Sequence, residues 1–171
     1  LASFDHPSLI RVYRFWEENG TAYMVMPYVR APTLKRWLLS HPGPLDETWL
    51  RGLLDALIDA LELMHADRCY HRDIAPDNIL LLEENGVVPK PLLLDLGAAR
   101  RVIGNATQTL TVILKPGYAP IEQYSEASGG RQGPWTDVYA LCAVMYTAVT
   151  GRAPAPSVSR IIEDEVVPAS H

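Results

Sequence analysis

His71-Arg72-Asp73 is followed by Asn78, five positions after the aspartate, and further along by Asp95-Leu96-Gly97. A loop carboxylate can orient an attacking hydroxyl and accept its proton. Amide and carboxylate oxygens are the ligands that a hard cation such as magnesium takes. Phosphoryl transfer from a nucleotide needs both. The spacing puts Asp73 forward as the base and Asn78 and Asp95 as magnesium ligands, the last delivered by the end of a strand. An H-x-D-x-x-x-x-N match alone is weak. Pro120-Ile121-Glu122, and Asp137-Val138-Tyr139 at the head of an apolar stretch, make the pattern specific.

Elements that could position these residues can be read from periodicity. β-Branched and aromatic residues around Glu18-Asn19-Gly20 predict a hairpin, with strands near Ile10–Trp16 and Ala22–Tyr28 and Pro27 at the end of the second. Leu34–Leu39 reads as a short helix, stopped by Ser40-His41-Pro42-Gly43-Pro44. Asp46 is placed to cap a long helix whose stripe is Leu50, Leu53, Leu54, Leu57, Ile58, Leu61 and Met64. Cys69–Asn78 is then a loop, Ile79–Leu82 a short strand, and Leu92–Leu94 the strand that delivers Asp95. Ala98–Tyr124 has little periodicity, as expected of a long functional loop. Thr136 is expected to cap an apolar helix ending at Thr150-Gly151, and Val158–Val166 is amphipathic. Strands first and helices after, with one embedded hairpin, indicate an α+β chain dominated by helices.

The 171 residues, 48% hydrophobic and 20% charged, suit one globular domain. A net charge of −5 gives no reason to expect nucleic acid or an anionic membrane as partner. Cys69 and Cys142 belong to no Cys-x-x-Cys or Cys/His cluster, so two reduced structural thiols in a cytoplasmic chain are expected. The apolar run Val138–Val149 is too short to span a bilayer and predicts a buried helix. The first residues lack the basic-then-apolar order of a signal peptide, and there is no initiator Met.

With these motifs in order, the chain resembles the bacterial branch of the eukaryotic-like serine/threonine protein kinases over nearly every residue. The resemblance implies a partial kinase-like α+β fold across 1–171. Residues 1–28 would be the end of the small lobe, and 29–171 most of the helical large lobe. It implies a transferase that uses ATP and Mg²⁺ on a protein substrate. The Gly-rich loop and strand lysine of the family are not found here, and the last large-lobe helices would lie beyond residue 171. Such a piece alone is expected to have almost no activity. A membrane anchor elsewhere in a longer parent is compatible with this, and oligomeric state is left open.

Within the resemblance, His71 would pack beneath Leu96, which stands where the family usually has Phe, and Gly97 would permit the turn there. Arg72 would pair with a phosphorylated activation-loop residue, for which Thr107, Thr109 and Thr111 are candidates. Met26 would be the gatekeeper, with the backbone of Pro27 and Val29 at the adenine edge and Leu80 under the ring. Glu122 would close the activation segment by an ion pair, and Asp137 would cap the catalytic loop. Serine/threonine kinases usually carry a lysine two residues after the catalytic aspartate; here that position is Ala75. The family's threonine before the activation-segment proline is here Lys115. The two positions are neighbours in the family fold, so Lys115 is expected to restore the missing charge. The alternatives are a pseudokinase serving as an interaction module and a small-molecule phosphotransferase. Intact Asp73, Asn78 and Asp95 oppose the first, and Arg72 with the Pro-x-Glu closure opposes the second.

Overall fold

The molecule is organised around its long central helix. In a computed structural model, residues 4–19, 21–82, 90–94, 114–124, 131–164 and 166–169 are described. Strands β1 (Arg14–Glu18) and β2 (Thr21–Val25) form an antiparallel hairpin, followed by helices α1 (Leu34–Ser40) and α2 (Glu47–Ala66). A second antiparallel pair is β3 (Ile79–Leu82) with β4 (Lys90–Leu93). The short α3 (Ile121–Tyr124), the long α4 (Pro134–Thr150) and the single turn α5 (Ser157–Arg160) complete the order. This is the α+β arrangement expected from the pattern of strands and helices.

Asp46 caps α2: its Oδ1 accepts from the N–H groups of Thr48 and Trp49 at 2.8 and 3.2 Å. The buried stripe is Leu53, Leu57, Ala60, Leu61 and Met64, at helical spacing. Ile58, expected in the stripe, is 45% exposed at its edge. This stripe packs with Leu34 of α1, Ile79 and Leu81 of β3, Leu93 of β4, and Leu141 and Val144 of α4 in one core. Ile74 from the loop before β3 lies in the same core, so the loop is anchored by its own apolar side chain.

Some boundaries differ from the sequence pattern, each for a local reason. β1 starts at Arg14 and does not reach back to Ile10, which pairs elsewhere: its N–H donates to Leu93 O, and Leu93 N–H to Ser8 O. β2 stops at Val25, ahead of Pro27. Helix α4 starts at Pro134, whose fixed φ suits a first helical position, with Gly133 as its N-cap. Thr136 therefore lies inside the helix, and its hydroxyl accepts from Gly133 N–H at 3.1 Å and donates to Glu122 Oε1 at 2.9 Å. Among the described residues of the amphipathic tail, the helical ones lie within the turn Ser157–Arg160. Neither Cys69 nor Cys142 is in a disulfide. Among the described residues, no helix is long and apolar enough to cross a membrane.

Leu57 is 1% exposed at the centre of the core. Leu57→Ala should lower stability by about 2–5 kcal/mol, the usual cost of deleting a buried leucine. Urea unfolding checks this; an unmoved midpoint would mean that α2 is not the element around which the core is built.

Candidate active site

The loop 70–78 has few backbone bonds of its own, so its shape must be imposed from outside. Asp137, in the first turn of α4 and fully buried, does much of this. Its Oδ2 accepts from His71 N–H at 2.9 Å, and its Oδ1 from Arg72 N–H at 2.7 Å. His65, in the last turn of α2, adds its ring Nε2 to Oδ2 at 2.7 Å. Arg72 sits at φ 63°, a left-handed conformation that costs a non-glycine residue energy. Both of its backbone groups are held, the N–H by Asp137 and the carbonyl by Gln123 Nε2 at 2.8 Å. The ends of α2 and α4, with α3, thus fix one strained residue immediately before Asp73.

His71 is fully buried and ties the loop to β4. Its Nε2 lies 2.8 Å from Leu94 O, and its Nδ1 accepts from Asp73 N–H at 3.3 Å. Those two bonds require the proton on Nε2, a neutral ring serving as a spacer between Asp73 and the residue preceding Asp95. Asn78 closes the loop. Its N–H donates to Ala75 O at 2.9 Å, its carbonyl accepts from Leu94 N–H at 2.9 Å, and its Nδ2 donates to Asp73 O at 2.6 Å. Commitment of Nδ2 leaves the side-chain oxygen as the atom suited to a hard cation. Asp95, Leu96, Gly97, Thr107, Thr109 and Thr111 lie outside the described residues.

Lys115 comes from a distant part of the chain to meet this loop. Its Nζ lies 2.8 Å from Asp77 Oδ1 and 3.6 Å from Asp73 Oδ1. The segment carrying it is pinned on the other side. Gly117 has φ +87°, and a Cβ there would come within 2.8 Å of Pro154 O, so only glycine fits. Tyr118 Oη pairs with Thr147 Oγ1 of α4 at 3.1 Å, and Ser157 Oγ donates to Ala119 O at 2.8 Å. Burial first, and the Asp77 carboxylate nearby, push the Tyr118 phenol above its ordinary pKa against the lowering effect of the Thr147 bond, so it stays protonated near neutral pH. Ala75 is fully buried, so a lysine introduced there would start from an enclosed Cβ.

The strand-to-helix segment gathers at the other end of β3. Met26 and Val29 pack with Ile10, Leu80 and Leu92 in a second apolar cluster, with Ala31, Leu82 and Leu94 at its edge. The chain before α1 runs alongside β3, with Leu81 N–H donating to Pro32 O at 2.9 Å. Met26, Val29 and Leu80 are thus brought together, and Leu94 connects that cluster to the His71–Asn78 loop. Three contributors escaped the sequence reading: His65, Asp77 and Gln123. His65 stands six residues before His71 at a helix end, which was a usable signal. The Asp77 and Gln123 contacts span 38 and 51 residues and left no local trace.

The family model described as the protein kinase domain matches residues 1–168. Serine/threonine-protein kinase PknA of Nostoc is 36% identical over 150 residues, which cover 84% of this chain and 25% of that kinase. Serine/threonine-protein kinase PrkC of Bacillus subtilis is 32% identical over 154 residues, covering 90% of this chain and 22% of the relative. The chain therefore spans about a quarter of the length of these curated relatives. Among solved structures, PpkA-294 in its apo form is similar at a TM-score of 0.76 and 47% identity, over 99% of this chain and 57% of the other.

Asp137→Asn keeps the shape but replaces one accepting oxygen by an NH₂ group that cannot receive a backbone N–H. The cost should be about 1–3 kcal/mol for the orphaned donor. Hydrogen exchange at the His71 and Arg72 amides should accelerate. Unchanged protection at both would show that something other than Asp137 holds the loop.

Proposed function

Since the chain belongs to the protein kinase family, we propose that the protein bearing it transfers the γ-phosphoryl group of ATP to a serine or threonine hydroxyl of another protein. The observation that carries this reading is the meeting at one residue: Asp73, with Lys115 Nζ 3.6 Å from its carboxylate Oδ1 and Asn78 Nδ2 2.6 Å from its backbone carbonyl. In the proposed step the acceptor hydroxyl hydrogen-bonds to Asp73. As its oxygen bonds to the γ-phosphorus, its proton passes to the carboxylate, and the bond to the β-γ bridging oxygen breaks to release ADP. Asn78, through its side-chain oxygen, and Asp95 would hold Mg²⁺, which supplies charge neutralisation along the phosphates when bound.

Lys115 takes the place of the absent catalytic-loop lysine in this reading. Its ammonium neutralises charge on the transferring group while Asp77 holds it. Asp77 accepts the shorter contact, 2.8 Å against 3.6 Å, so the lysine stays beside the base without forming its tightest pair with it. Met26, Val29 and Leu80 form the apolar face against which the adenine would lie, with the backbone of Pro27 and Val29 at its edge. Arg72, whose buried Nε has no partner among the described residues, is the group for a phosphate on Thr107, Thr109 or Thr111. Glu122 holds α3 to the first turn of α4 through Thr136, which suits a role in closing the peptide-binding segment.

In the full-length protein, Asp73→Asn should lower turnover by about 10²–10⁴, the range for a positioned base. Asp95→Asn should remove magnesium-dependent activity. Near-parental rates in both folded variants would refute the assignment.

Lys115→Ala should slow the single-turnover chemical step by about 2–4 kcal/mol, as loss of a charge-stabilising donor does, with a smaller change in ATP affinity. An unaffected single-turnover rate would leave Lys115 as an ordinary loop residue.

A further inference from the structure

The chain has only three lysines, Lys35, Lys90 and Lys115. Two of them, Lys35 and Lys115, line one cavity of about 440 Å³. Its walls are the first turns of α1 with the loop behind them, the Pro76-Asp77 corner, the Leu114–Tyr118 segment and the end of α4. It shares Leu114, Lys115 and Tyr118 with the small cleft against Asp73. A polypeptide presenting a hydroxyl to Asp73 therefore has its adjoining residues at the mouth of this cavity.

Lys35 is built into the site by its backbone, since its N–H donates to Pro76 O of the catalytic loop at 2.9 Å. Its side chain is exposed, and among the described residues it has no ion pair or hydrogen bond. Asp77 is the one acidic residue of the described lining, and its carboxylate is already engaged by Lys115 at 2.8 Å. Leu38 and Leu39, the latter 76% exposed, follow Lys35 by three and four residues on α1 and line the same cavity. An apolar lining beside a cation with no ion pair among the described residues stands out in a chain whose net charge is −5.

We infer that this cavity selects protein substrates carrying a glutamate or aspartate near the acceptor hydroxyl in sequence. The aliphatic stem would lie on Leu38 and Leu39, and the carboxylate would reach Lys35. The inference rests on the kinase reading above and adds a substrate class to it. A partly exposed ion pair over an apolar floor is a modest discriminator, so the expected preference is about three- to tenfold in kcat/KM.

The test uses the full-length protein and an array of peptides around one serine or threonine, each flanking position held in turn as Glu, Gln or Lys. One position should favour Glu over Gln, and Gln over Lys. Lys35→Glu should reverse that order at the same position, and Lys35→Gln should flatten it. Phosphorylation with equal rates for Glu, Gln and Lys at every position, or a Glu preference unchanged in Lys35→Glu, would overturn the inference while leaving the kinase reading intact. Failure to phosphorylate any peptide, or any protein offered, would overturn the kinase reading and this inference with it.

Discussion

One buried carboxylate sets the geometry on which the rest of the site depends. Asp137 sits at the start of α4, where the helix dipole favours negative charge, and its two oxygens face the N–H groups of His71 and Arg72. A buried carboxylate needs such donors to offset its desolvation, and a loop with unpaired N–H groups needs such an acceptor. Each requirement satisfies the other. The arrangement also stabilises the left-handed Arg72, and with it the direction in which Asp73 leaves the loop. His71 then transmits that position to β4, because its ring bridges Asp73 N–H and Leu94 O. Asp73 and the end of β4 are thereby registered through the imidazole, and again through Asn78, whose Nδ2 donates to Asp73 O while its carbonyl accepts from Leu94 N–H.

Much of this was legible in the sequence because the signals are local. Asp46 before an apolar stripe announced the start of α2, and the uninterrupted Ile79–Leu82 run announced β3. The His71-Arg72-Asp73 spacing located the loop because its chemistry requires fixed residue types at fixed intervals. What stayed hidden arises from long-range pairing. Residues 8–10 look like the continuation of the hairpin strand, yet Ser8 and Ile10 bond to Leu93. Burying Ile10 with Leu80 and Leu92 outweighs extending a ladder at the hairpin's open end. The same holds for Gln123 and Asp77, ordinary polar residues until the fold brings Arg72 O and Lys115 Nζ to them. Pro134 was a legible signal given too little weight; its fixed φ starts α4 and moves Thr136 from the cap into the first turn.

The position of Lys115 has a physical consequence for how the proposed site is assembled. A lysine two residues after the base would be held by the same loop as Asp73, so charge and base would be placed by one set of contacts. Here the position is a buried alanine, and the charge arrives on a segment separate in sequence. Its placement then depends on whatever holds Leu114–Tyr124 down: the glycine-only fit of Gly117 under Pro154 O, the Tyr118–Thr147 pair, and the Ser157 bond to Ala119 O. All three anchors lie on α4 or just after it. The N-terminal turn of that helix holds the loop of Asp73 through Asp137, while its C-terminal end and the chain beyond hold the segment of Lys115. In the proposed mechanism, the relative position of base and ammonium is therefore set by this 17-residue helix together with the direct contact of Lys115 Nζ to Asp77 in the loop of the base. In that proposed mechanism the site is only as well aligned as the seating of the Leu114–Tyr124 segment, and the segment has a part in the chemistry as well as in holding the substrate.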